Sequence, residues 1–422
     1  MSPKISSSSV GRTVIALAIV CAIVALLVSP RSTHASSVPL YSFDGITGSH
    51  PQGKLVQSSG GEFYGMTTEG GANDVGTIFK ITSGGSLTTL HNFNSSDGAY
   101  PQAELVQGSD GNFYGTTFSG GIYGVGTVFK ITPGGSFTSL HSFNFGDGAT
   151  PNAGLVQSSD GDFYSTTANS GPGGAGTVFK IMPSGILTTL HSFNFSDGAQ
   201  PFGGLVLGSD GKFYGTTTYG GLGGSGTVFK MTSGGVLTTL YNFSGSDGAN
   251  PYATLVQGSD GTFYGTTVVG GPSDAGTLFK ITSGGSFTAL YSFSFTDGSN
   301  PHAGLVQGSD GYFYGTTSSS GTSNAGTVFK ITSGGSLTTL YNFNGSDGAN
   351  PFGGLVQSSD GNLYGMTYGG GISSLGTVFK ITAAIGPPTN KDQCKNGGWQ
   401  LFNTPRSFNN QGDCIQFVNT GK

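Results

Sequence analysis

Apolar positions in this chain come in short runs rich in β-branched and aromatic residues, separated by turn residues. That pattern predicts short strands and leaves little room for helix. From Tyr41 onward it returns every 50 residues, seven times, with no insertion or deletion. In the second unit the expected strands are Glu104 to Gln107, Phe113 to Thr117, Thr127 to Thr132 and Phe137 to Phe143. Ser109-Asp110-Gly111 joins the first two and Pro133-Gly134-Gly135 the last two; both have hairpin-turn chemistry, because glycine accepts positive φ without steric cost. Each unit reads as a four-stranded antiparallel meander. Its third strand, Thr-Val-Phe-Lys-Ile, is nearly continuous in bulk, as expected of a strand covered on both faces with the lysine stem reaching out to its charge.

A unit that cannot bury its own apolar faces must stack on copies of itself. The ends of the array point to a closed ring. Residues 36–43, Ser-Ser-Val-Pro-Leu-Tyr-Ser-Phe, match the fourth strand at Ser336 to Phe343, whereas that strand is missing after Ile381-Thr382. Each strand type therefore occurs seven times, and the N-terminus is placed to supply the outer strand of the last blade, which removes an exposed edge. The expected fold is an all-β, seven-bladed β-propeller of four-stranded blades over residues 36–382, closed by the N-terminal strand, with a small tail over 383–422. An open solenoid would want polar capping repeats, and none is visible.

Composition adds compartment. Charged residues make up 9% of the chain and glycine 78 of 422 positions, but 12% aromatics and the strict period exclude a disordered low-complexity chain. A net charge of −5 with no basic stripe argues against nucleic acid. Lys4 and Arg12 precede an unbroken apolar run of 15 residues from Val14 to Val28, then Pro30 and Thr33-His34-Ala35. This suits a secretory signal peptide over 1–35 and is short for a membrane span; an uncleaved signal anchor is the alternative. Cys21, inside the run, is in a poor context for lipid attachment. Export would leave no membrane span and would place the protein outside the cell or in the envelope, with a monomer expected. Cys394 and Cys414 stand in the non-repeating tail, where pairing would close a loop of about 20 residues around Trp399, the only tryptophan. Such a link is worth ~3 kcal/mol on the loop-entropy model. Two cysteines with no histidine nearby make a poor zinc site.

The motifs Leu-Val-Gln-Gly-Ser-Asp-Gly, Phe-Tyr-Gly-Thr-Thr and Gly-Thr-Val-Phe-Lys-Ile, as at 105–131 and repeated seven times, resemble the GloVer tandem repeats of secreted bacterial proteins, the "choice-of-anchor" group. The tail, Lys391 to Trp399 with Asn410 to Cys414, is similar to a short C-terminal motif of such proteins. Neither resemblance implies an activity. The Asp-Gly-Asn-Phe-Tyr signature is also similar to NHL-type propellers, over a short stretch.

Candidate chemistry is sparse. Twelve of 21 acidic residues hold two repeat-locked positions: Asp110, Asp160, Asp210, Asp260, Asp310 and Asp360 in the first hairpin, and Asp97, Asp147, Asp197, Asp247, Asp297 and Asp347 between blades. Calcium ligation is one reading, since hard cations want several oxygens per site. One carboxylate per loop followed by glycine fits an Asx turn better, so no cofactor is expected. His91, His141 and His191 alternate with Tyr41, Tyr241, Tyr291 and Tyr341, so the position wants a flat ring; a metal would need those histidines to converge. Lys54 and Glu104 stand where the other copies have Gly154, Gly204, Thr254, Gly304 and Gly354, and an ion pair near the central channel is expected. No nucleophile elbow, P-loop or Cys-x-x-Cys pair appears in a fitting context.

Variation concentrates in the loop after Thr-Thr and in the inter-blade loop, which share one face of the disc because the strands alternate in direction. That face carries Phe118, Tyr123, Phe202, Tyr219, Tyr252, His302, Phe352 and Tyr368. Aromatics on an uncharged rim suit stacking on sugars or docking of a protein partner. The expectation is a secreted binding or structural module without catalytic residues. A polysaccharide lyase or hydrolase is the alternative, for which the sequence shows no acid–base cluster.

Overall fold

The computed structural model describes residues 35–382 and 409–420. The expected signal peptide up to His34, and Cys394 with Trp399, lie outside the described residues.

The first blade contains β2 (Val56–Gln57), β3 (Phe63–Thr67), β4 (Thr77–Ile81) and β5 (Leu87–Asn92), ordered from the axis outward. Strands β6 to β25 repeat this through five further four-stranded sheets, ending at Leu337–Asn342. The seventh sheet runs β1 (Ser36–Ser42), β28 (Thr377–Thr382), β27 (Leu363–Thr367), β26 (Val356–Gln357). The ring is thus closed as expected, with Ser36 opposite Thr382 and Ser42 opposite Thr377. Every blade carries a β-bulge where the third strand meets the fourth, at Val128/Phe129 in the second blade and between Pro39 and Tyr41 in the seventh, which sharpens the twist of the outer strand. The innermost strands are two residues long, shorter than the expected Glu104 to Gln107.

The core lies between blades. Tyr64 stacks on Phe113 of the next blade at 4.0 Å, and Tyr114–Phe163, Tyr164–Phe213, Tyr214–Phe263 and Tyr264–Phe313 repeat the contact. Tyr314 meets Leu363 instead. Phe129 sits edge-on to Phe93, an arrangement that recurs around the ring. Fully burying such a side chain stabilises by ~1.5–3 kcal/mol, which accounts for seven copies of the same motif. Gly115 packs closely beside it, where a Cβ would lie 2.6 Å from Phe129 Cζ; six blades have glycine at this position and the third has Ser165. The Thr-Thr motif supplies polar closure, because Thr117 Oγ1 meets Thr127 Oγ1 at 2.8 Å with both buried, and each blade has its own copy.

Both sets of aspartates have internal work. Asp110 accepts the Asn112 amide at 3.1 Å in an Asx turn, and its other oxygen accepts the Tyr114 hydroxyl at 2.9 Å. Burial opposes the Asp110 carboxylate, but hydrogen bonds from Asn112 and Tyr114 outweigh it and hold the pKa below its usual value. The first blade has Gly60 at this position, and Glu62 accepts from Tyr64 instead. The inter-blade set departs from the expected Asx turn. Asp97 accepts backward, from the Asn94 amide, while Asn94 makes the forward turn to Ser96 and Asp97. The second oxygen of Asp97 takes the His91 ring at 3.1 Å, and Asp147 and Asp197 take His141 and His191 at 2.9 Å. Tyr241, Tyr291 and Tyr341 donate to Asp247, Asp297 and Asp347 in the same way. The fourth-strand position therefore wants a ring that also donates.

In the tail, α1 spans Gln411–Thr420. Asn410 caps it by accepting the Asp413 amide at 2.9 Å, and Asp413 reaches back to the Asn409 amide at 3.0 Å. Cys414 is fully buried.

Candidate binding site at the mouth of the axial channel

Isolated bridges such as Ala99 to Ser119 pair the inter-blade loop with the loop after Thr-Thr, placing both on one face as expected. There the chain turns inward through a repeated left-handed residue. His50, Tyr100, Thr150, Gln200, Asn250, Asn300 and Asn350 all have φ between 52 and 56°. A non-glycine residue adopts this region only when its surroundings hold it. Here the Tyr100 amide donates to Val75 of the preceding blade at 2.9 Å, and its carbonyl accepts from Phe118 at 3.3 Å. A proline follows each of these residues, and the next residue lines the channel mouth.

That lining ring consists of Gln52, Gln102, Asn152, Phe202, Tyr252, His302 and Phe352, around a cavity of about 370 Å³. Three adjacent blades present amides and four present rings. Phe202 and Tyr252 stack at 4.7 Å, and His302 stands edge-on to Tyr252 at 5.6 Å and to Phe352 at 5.0 Å. Tyr368 continues the arc against Phe352 at 5.3 Å and meets His50 at 4.6 Å. Tyr252 also reaches past Phe202 to accept a hydrogen bond from Asn152 Nδ2 at 2.8 Å, joining the amide half to the aromatic half. Below the ring the residues are small for a steric reason: a Cβ on Gly53 would lie 2.2 Å from the Ala103 carbonyl.

Of the eight residues expected on this face, Phe202, Tyr252, His302, Phe352 and Tyr368 come together. Tyr123 and Tyr219 are exposed and Phe118 is half-buried; none of the three lines the cavity. The amide half, Gln52, Gln102 and Asn152, and the flanking His50 were missed. Their signal was present, since the residue after each inter-blade proline breaks the repeat.

Burial pushes the Tyr252 pKa up and the His302 pKa down, so both are neutral near pH 7. The His302 Nδ1–H donates to the Asn300 carbonyl at 3.1 Å, leaving Nε2 as the acceptor nitrogen. Lys54 and Glu104 stand deeper, shared with a second cavity of about 360 Å³ toward the other face. The expected ion pair between them does not form. Glu104 leans over Gly154, its carboxyl carbon 2.7 Å from where a Cβ would stand, and Lys54 leans the opposite way over Gly354, with Cδ at 3.5 Å. The missing side chains at Gly154 and Gly354 give each charge room to turn away. Among the described residues no group of three or more His, Cys, Asp or Glu is disposed to hold a metal.

Chemically, the mouth offers flat apolar faces on one side and amide donors and acceptors on the other. The fold and this axial cavity define a seven-bladed tandem-repeat propeller. The chain belongs to the Gloeobacter/Verrucomicrobia repeat family, which matches residues 28–221 and 203–391. No curated protein matches it. Among solved structures it is similar to virginiamycin B lyase from Staphylococcus aureus, at 15% identity and a TM-score of 0.58, over 82% of this chain and 98% of that one. It is also similar to the extracellular domain of a hybrid two-component system from B. thetaiotaomicron, at 15% identity and a TM-score of 0.53. That match covers 83% of this chain and 42% of the other. At this identity both similarities speak to the fold alone. No helix among the described residues is long and apolar enough to cross a membrane.

Proposed function

We propose that this protein is a secreted or cell-surface binding module that takes a saccharide at the variable-face mouth of its axial channel. The observation that carries the reading is the divided ring: an arc of stacked and edge-on rings from Phe202 to Phe352 faces the amides Gln52, Gln102 and Asn152 across one cavity. Sugars present apolar C–H faces and hydroxyl edges, and sites of this kind combine apolar walls with a few fixed polar groups. The chain also copies its repeat closely and departs from it at these positions, where folding makes no shared demand.

Export is part of the proposal. The apolar run from Val14 to Val28 acts as a signal peptide, and Cys394 pairs with Cys414 in the oxidising compartment. Tyr123 and Tyr219, outside the cavity, are not needed for the ligand.

The test is a glycan array probed with the mature protein, followed by titration calorimetry on the best hit. Phe202→Ala and Tyr252→Ala should each weaken binding about tenfold or more, at ~1.4 kcal/mol per decade. Tyr123→Ala should leave it unchanged. Array hits that survive Phe202→Ala and Tyr252→Ala would move the site elsewhere on the disc.

A further inference from the structure

Lys54 and Glu104 are the charged side chains in the wall of the axial cavity, and no ion pair joins them to each other or to another of the described residues. They come from adjacent blades at the same repeat position, the arrangement most favourable for pairing. They nevertheless diverge, Glu104 over Gly154 and Lys54 over Gly354. A half-buried charge without a partner is costly to keep, and neither is needed for the fold, because the other five copies have glycine or threonine there.

A second observation falls on the same side as Glu104. Asn152, 8% exposed, donates through Nδ2 to the Tyr252 hydroxyl, while its Oδ1 is buried with no donor among the described residues. Asn152 stands two residues before Gly154, the glycine that the Glu104 carboxylate covers. A carboxylate and an unmet amide oxygen are therefore gathered at the third blade, and a lone ammonium is directed toward the seventh. An unmet buried acceptor is destabilising until something donates to it.

We propose that the saccharide is zwitterionic: an amino sugar that also bears a carboxylate, with its ammonium toward Glu104 and Asn152 and its carboxylate toward Lys54. This rests on the saccharide reading above. Charge-assisted hydrogen bonds at both ends give selectivity that stacking alone lacks, since aromatic faces accept any pyranose.

Four pyranoses separate the possibilities by calorimetry at pH 7: glucose, glucosamine, glucuronic acid and muramic acid, which carries both charges. Muramic acid should bind about tenfold or more tighter than glucose, one decade being the scale of a single good charged contact. Lys54→Thr should weaken muramic and glucuronic acids and spare glucosamine; Glu104→Thr should weaken muramic acid and glucosamine and spare glucuronic acid. Both variants copy Thr254, native at the same position, so an unchanged melting temperature is the expected control. Equal binding of glucose and muramic acid, or no response to either variant, overturns the charge assignment while leaving the saccharide site in place. Failure of all four sugars also overturns it, and the saccharide reading then stands or falls on the glycan array.

Discussion

Tyr364 of the last blade and Phe63 of the first lie with ring centroids 4.3 Å apart, the same contact that Tyr64 makes with Phe113 inside the array. The seam between the two ends of the chain is thus built like an internal one. On its outer side Phe43 is fully buried, 5.5 Å from Phe79 and edge-on to it.

Phe43→Ala should therefore cost ~3–5 kcal/mol, as much as an alanine at an internal seam phenylalanine such as Phe129. Deleting residues 36–46 should lower the melting temperature and promote association, because β28 would be left as an open edge. Urea unfolding and elution volume check both. An unchanged melt with a monomeric elution would mean that β1 contributes nothing to closure.

The seven-blade ring and its closure were legible because the repeat is exact and the missing outer strand could be counted. The second strand, Phe113–Thr117, was placed to the residue, since its hairpin turn and its Thr-Thr end are both explicit. The first strand was drawn too long, because Glu104 and Leu105 belong to the segment that turns into the channel and pair with nothing. The aromatic arc was readable as departures from a repeat. The amide half breaks the repeat at the same position, but glutamine and asparagine in a loop look like ordinary solvated residues until the ring places them opposite Phe202 and Tyr252. The direction of Lys54 and Glu104 depends on space left by glycines in neighbouring blades, which pairing rules alone do not reveal.

Stability should fall at both ends of the pH scale for opposite reasons. Asp110, Asp210, Asp260 and Asp360 titrate below the usual carboxylate range, as burial is outweighed by hydrogen bonds from neighbours that include Tyr114, Tyr214, Tyr264 and Tyr364. A folded pKa below the unfolded value of about 3.9 gives stability that is present above that pH and lost as pH falls through the folded value. The tyrosines move the other way. Burial and the adjacent carboxylates push Tyr164 and Tyr214 up to about 12. Their contribution is present below pH ~10 and lost as pH rises from there through the folded value. Melting temperature should be flat from about pH 7 to 9, then decline on both sides, beginning on the acid side with His302 and His91, whose burial-depressed pKa values let the unfolded chain take up protons first below pH ~6.5. Most of the tyrosinate absorbance should rise together with unfolding; complete ionisation of the tyrosines in a protein that is still folded would contradict the Tyr–Asp assignment.

In exported protein Cys394 and Cys414 should be oxidised to each other. Cys414 is fully buried in α1, so the bridge would be sheltered from reductant. Mass spectrometry without reduction should show a mass lower by two hydrogens and a linked pair of peptides. Two alkylatable thiols in protein recovered from its native compartment would exclude the bridge.

The fourth-strand ring position distinguishes shape from hydrogen bonding. His141 donates from Nε2 to Asp147 at 2.9 Å and packs edge-on to Phe143 at 5.1 Å; Tyr241 makes both contacts in the fourth blade, to Asp247 and Phe243. His141→Tyr should therefore fall within ~0.5 kcal/mol of the parent, the range of tolerated substitutions. His141→Phe keeps the ring but removes the only side-chain donor to Asp147 Oδ2 among the described residues, the other oxygen being already engaged by the Asn144 amide. The orphaned carboxylate oxygen is half-buried, so the cost should be about 1 kcal/mol, the low end for an unmet polar group. Asp147→Ala, which removes the acceptor and frees the Asn144 amide as well, should cost at least as much. Urea denaturation of the three variants ranks them, and equal stability of His141→Phe and His141→Tyr would mean that the position selects a flat ring and nothing more.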